Sequence, residues 1–172
     1  MSVTLNKLFV VFSVSIVLMT SFQAVARCDS SQHRQFDFWV GEWQVSNKQN
    51  NNVSQSSISL INDGCGILEE YTTTTGFQGK SLNIYDATTQ QWHQTWIDNS
   101  GTLLQLNGKF EQGRMTLSGM TFDKDGKEVL NKIIWTPNTD GSVRQQWLVS
   151  NAQGKKWQSI FDGLYQKATL SN

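Results

Sequence analysis

The stretch GTLLQLNGKFEQGRMTLSGMTFDKDG, residues 101 to 126, decides the fold class. It reads as a run of strand length over 102–110, a turn at EQGR, a second run over 114–122 and a turn at DKDG. Glycine accepts the positive φ that tight turns demand, and Asp side chains bond their own backbone there. The same beat continues outward. With DNSG at 98–101, NTDG at 138–141 and NAQG at 151–154, glycines fall at 101, 113, 126, 141 and 154, spaced 12 to 15 residues apart. Almost no segment holds helical periodicity over three turns, so the pattern is that of an antiparallel meander.

Carried along the chain, this reading predicts about ten strands: 38–47, 54–62, 66–75, 79–86, 91–97, 102–110, 114–122, 127–135, 143–149 and 157–166. Pro137, the single proline, stands just before NTDG, where a strand ends and a ladder donor is not needed. DSSQHRQFDFW permits a short helical turn capped by Asp29 or Ser30 and anchored by Phe36. Ten sequential strands must hide two edges, and closing into an up-and-down barrel does so with tight turns alone. A two-sheet sandwich is the alternative, but its crossings ask for longer connections than this chain offers.

Residues 1–26 read as a cleaved signal peptide: Lys7, then the apolar run LFVVFSVSIVLM from Leu8 to Met19, then the small residues of Ala24-Val25-Ala26. The apolar run is short for a bilayer span, so no stable membrane anchor is expected. Arg27 before Cys28 argues against a lipid-modified cysteine, which wants a small neighbour. The expected product is one domain, residues 27–172, periplasmic or secreted, as a monomer or homodimer. The leader carries one of the 14 basic residues and none of the 14 acids, leaving a formal charge of −1. No basic stripe with interleaved aromatics appears, so nucleic acid is not an expected partner. In an oxidising compartment the two cysteines, Cys28 and Cys65, read as a disulfide, with no CxxC spacing to suggest a reactive pair.

Strand alternation sets out the faces. Trp92, Gln94 and Trp96 share one face, with His93, Thr95 and Ile97 on the other; Val143, Gln145, Trp147 and Val149 share one, with Arg144, Gln146 and Leu148 opposite. Aromatic bulk mixed with amides suits the wall of a barrel cavity, whereas a solid core with tryptophans at its rim is the plainer explanation. Trp92, Gln94, Trp96, Tyr85, Arg144, Gln145 and Trp147 are therefore the candidate ligand-binding residues. Arg144 would grip a carboxylate or phosphate if inward, and is a surface residue if not. Two histidines and two paired cysteines fall short of a metal set, and no cofactor is expected. DNSG and DKDG lack the ligands of a calcium loop. GxSxG, GxGxxG and Walker patterns are absent. For catalysis, Glu42, Glu69, Glu70, Asp86, Asp98 and Asp162 are the acids to weigh, with a hydrolase or isomerase requiring a pair such as Glu69 and Asp162 to converge.

FDFWVGEWQV at 36–45, with GCGILEEYT, GKSLNIYD, WHQTWIDNSG, GSVRQQWLVS and FDGLYQK, resembles a family of exported bacterial proteins of undefined function. The carriers are the F-D-F-x-x-G-x-W opening and Trp135-Thr136-Pro137 before Asp140-Gly141-Ser142. The layout is similar to calycin-type barrels, including lipocalins and fatty-acid-binding forms. That resemblance implies that Trp43, in Gly41-Glu42-Trp43, plugs a closed barrel end and that a ligand enters from the other. Phe36 and Phe38 would brace that end, and Gly41 would admit a backbone or indole. The expected function is binding of a small amphipathic or aromatic molecule without chemistry. A cavity enzyme and a solid domain acting through its surface are the alternatives.

Overall fold

The computed structural model describes residues 28–49, 52–151 and 153–168. The expected signal peptide lies outside the described residues. A 3-10 turn, Asp37–Trp39, precedes ten strands. They are β1 (Gly41–Asn47), β2 (Val53–Ile61), β3 (Gly66–Thr73), β4 (Gln78–Asp86), β5 (Gln91–Asp98), β6 (Leu103–Glu111), β7 (Arg114–Phe122), β8 (Glu128–Pro137), β9 (Val143–Asn151) and β10 (Trp157–Lys167). Every strand pairs antiparallel with its sequence neighbours, and β1 pairs with β10 to close the barrel. Pro137 ends β8, where its missing N–H costs no ladder bond.

The expected first strand is too long. Phe38 and Trp39 belong to the 3-10 turn and the strand opens at Gly41. Tertiary packing overrides the β-propensity of these aromatics: leaving the strand early swings Phe36 and Trp39 across the barrel end. There they become fully buried. Phe36 stacks on Trp39 with centroids 4.9 Å apart and meets Trp92 and Trp135 edge-on at 5.5 and 5.1 Å. Phe38 lies against Phe36 and Phe110. Each such aromatic pair contributes about 1 kcal/mol beyond the area it buries. Trp43 is buried beneath them and donates its indole N–H to the Trp39 carbonyl at 2.8 Å. Gly41, at φ 143°, has the Lys167 ammonium against it rather than a backbone or an indole. That ammonium donates to the Val40 carbonyl and lies 3.8 Å from the Trp43 ring centre.

The segment before the turn is pinned from the side. Cys28 and Cys65 form a disulfide across 37 residues of sequence. Arg34 donates to the Gly64 carbonyl and pairs with Asp37 at 3.4 Å. Of the two expected caps, Ser30 spends its hydroxyl on the His33 ring, 2.7 Å away, and not on a helix N–H. The plug is thus held by cross-links to Cys65 and Gly64 as well as by its own backbone turns. Replacing Cys28 and Cys65 together by Ser is expected to lower unfolding stability by roughly 2–4 kcal/mol. Urea denaturation followed by tryptophan fluorescence checks this, and an unchanged midpoint would contradict it.

Candidate functional site

Alternation along the closed barrel sends one residue in two inward. From β2 come Ser54, Ser56 and Ile58, from β3 Ile67, Glu69 and Tyr71, and from β4 Gly79, Ser81 and Asn83; all are buried. The half nearest the plug is apolar. Across the waist runs a belt of polar side chains, and beyond it an open cavity of about 370 Å³ reaches the end opposite the plug. Its mouth is set by Asn47, Asn52, Thr75, Phe77 and Ile160. Ile160 stands where the pairing of β9 and β10 slips, between Ser159 and Phe161, and the bulge tips it towards the opening.

Glu69 is the floor. The residue is 2 % exposed and still borders the cavity. Oε1 accepts from Ser56 at 3.1 Å and Oε2 from Ser81 at 2.9 Å. Asn83 and Gln94 donate to Ser81 Oγ at 3.0 and 3.4 Å, which leaves the Ser81 proton to point at Glu69. The Tyr165 hydroxyl lies between Glu69 Oε1, 3.4 Å away, and Gln145 Oε1, with one proton for two acceptors. Tyr71 donates to Ser54 at 2.8 Å. Burial raises the Glu69 carboxyl from 4.5 to about 7, against the hydrogen bonds from Ser81, Ser56 and Tyr165 that favour its ionised form. Burial also pushes the Tyr165 phenol well above its ordinary value, and Glu69 beside it adds to the effect.

The walls above this floor are aromatic. Trp96 lies over Gly79, whose lack of a side chain leaves room for the indole ring. Trp96 donates to Asp98 at 3.1 Å and Trp147 to Asn131 at 3.0 Å, so both rings are fixed by their N–H groups. Phe77, Phe161 and Tyr71 complete the wall with Leu104 and Ile133.

Of the residues singled out in the sequence, Gln94, Trp96, Gln145 and Trp147 are brought together on the cavity wall. Trp92 and Tyr85 are not. Trp92 is in the plug, donating to Gln35 at 3.3 Å, and Tyr85 packs on Trp92 and His33 near the same end. Arg144 faces outward in a two-pronged pair with Asp162, at 2.8 and 2.5 Å. That pairing holds the Asp162 carboxyl below its ordinary range and takes it out of any convergence with Glu69. His93 is on the outer face, held by Asn107 and Thr95, each at 2.8 Å. Sequence reasoning passed over Ser56, Ser81 and Asn83, and left Glu69 as one acid among six. A signal was there: Ile67 and Tyr71 flank Glu69 at steps of two, which puts its side chain on the face of those apolar residues, with Glu70 opposite.

Among the described residues, no three His, Cys, Asp or Glu side chains gather as a metal site, and no helix is long and apolar enough to cross a membrane. No protein-family model and no curated protein matches the chain. The likeness to calycin barrels therefore stands on architecture: a closed, antiparallel, ten-stranded barrel with little helix.

The raised carboxyl fixes a pH dependence. Between pH 4.5 and about 7 the unfolded chain has Glu69 ionised while the folded barrel keeps it protonated. Its contribution is complete below pH 4.5 and is lost as pH rises through about 7, roughly 3 kcal/mol in all. Asp98 works in the opposite sense. Burial alone would raise it, but hydrogen bonds from Ser100, Trp96 and Thr102 outweigh burial and hold it at about 2, so its contribution is lost only below pH 3.8. Stability measured by urea between pH 5 and 8 should fall with rising pH, and Glu69→Gln should flatten the profile. A wild-type profile already flat over that range would contradict the assignment.

Proposed function

We propose that this barrel is an exported binding protein for one small amphipathic molecule, held with its apolar part against Trp96, Trp147, Phe77 and Phe161 and its polar end on the Glu69 floor. The observation that carries the reading is a cavity of about 370 Å³ that is aromatic at the wall, polar at the floor and open opposite the plug. Sites for small molecules share this plan, with apolar walls and a few converging polar groups, at volumes of roughly 300–1,000 Å³. Export is supported by the leader-like sequence of residues 1–26 and by the Cys28–Cys65 disulfide, a bond that persists in oxidising compartments.

One observation favours a second reading, a cavity enzyme. A carboxyl held at about 7 beside a phenol is suited to moving a proton near neutral pH. It would act alone as the acid or base, because Asp162 is engaged outside the barrel. Binding is the reading the site supports best, since an aromatic wall above a polar floor holds a ligand whether or not a proton moves.

The test is a titration with 4-phenylbutan-1-ol, followed by tryptophan fluorescence and calorimetry. Saturable one-to-one binding is expected. Gly79→Ala would force the Trp96 ring off its present seat and is expected to weaken binding by about tenfold, at a cost of roughly 1–3 kcal/mol in stability. Equal affinity in wild type and variant would place the ligand elsewhere.

A further inference from the structure

Glu69 poses a question that hydrogen bonds alone do not answer. Among the described residues, the cavity is bordered by no Lys, Arg or His, so its one acid has no counter-charge. From β2 and β4 the carboxyl meets hydroxyls, Ser56 and Ser81, and from β5 and β9 the amides Gln94 and Gln145 border the same cavity. Its titratable neighbours are the phenols Tyr71 on β3 and Tyr165 on β10, both pushed upward by burial first and both therefore neutral near pH 7. The Ser81 hydroxyl is already turned to donate by Asn83 and Gln94, which suits a carboxylate more than a carboxylic acid. The remaining boundary is aromatic, and the faces of Trp and Tyr rings attract cations.

Building on the binding function proposed above, we propose that the cavity selects an organic cation: an amphipathic molecule with a protonated amine or similar cationic head that seats on the Glu69 carboxylate, its apolar part between Trp96 and Trp147. The ligand supplies the positive charge that the described lining of the cavity lacks. A buried carboxylate with hydroxyl donors and no cation is costly by itself, and a cationic partner offsets that cost at the site where it arises. An anionic ligand meets repulsion from the same group, and a neutral one leaves the carboxylate unpaired.

Three probes of one shape separate the possibilities: 4-phenylbutylamine, 4-phenylbutan-1-ol and 4-phenylbutyrate, each titrated calorimetrically at pH 5 and pH 8.5. The amine stays protonated at both values, as an alkylammonium loses its proton only near about 10.4. Glu69 changes charge between them. The expected result is an amine that binds about tenfold or more tighter than the alcohol at pH 8.5, and loses that advantage at pH 5. Glu69→Gln should abolish the advantage while still binding the alcohol, which also reports that the variant is folded. Alcohol or butyrate bound as tightly as the amine at pH 8.5 would overturn the cation proposal and leave the binding function intact. No binding by any of the three would overturn both.

Discussion

The pairing of β1 with β10 is the constraint from which the rest follows. It removes both sheet edges, and with them the main hazard of an all-antiparallel chain. It also creates an interior that must be dealt with. Eight strands enclose a space that their own side chains just fill, and ten enclose more. This chain answers differently at its two ends. At one, the segment before β1 leaves the strand path and lays Phe36 and Trp39 over Trp43, Trp92 and Trp135. At the other, no such segment intervenes among the described residues and the space stays open.

Between the two halves lies the polar belt, and its place is physically telling. A glutamate 2 % exposed in a barrel waist accepts hydrogen bonds from β2, β4 and β10, but its charge is costly to keep there. Isosteric apolar residues would pack there with less loss of solvation. The surrounding hydroxyls and amides reduce the loss without removing it, as the upward shift of Glu69 to about 7 records. Such an arrangement is expected where a group is kept for what it meets in the cavity. The outer face handles its charges in the ordinary way, with Glu70 against Lys80 at 2.5 Å and Asp162 against Arg144.

Much of this was legible in the residues themselves. Gly, Asp and Asn at regular intervals place the hairpins, and the observed strands start and stop within a few residues of the expected ones. β1 is the exception, because Phe38 and Trp39 have strand-like chemistry and only the open barrel end tells them to turn away. The disulfide follows from the cysteine count read together with the expectation of an oxidising compartment. The wall residues Gln94, Trp96, Gln145 and Trp147 follow from alternation. Trp92 shares their face but lies at the other end of β5, and position along a barrel axis is not encoded in a period of two. The floor was harder to see. Glu69 and Glu70 are adjacent and chemically alike, and only the apolar residues two steps to either side of Glu69 distinguish the buried acid from the solvated one.

Everything in this site turns on one carboxyl, Glu69, held inside the barrel at the base of an open aromatic cavity. The most direct measurement is a carbon-13 NMR titration of the glutamate side-chain carboxyls, with Glu69→Gln to identify the resonance. An inflection near pH 7 is expected for Glu69. An inflection at the ordinary glutamate value of about 4.5 would contradict it, and would mean that water reaches the carboxyl freely.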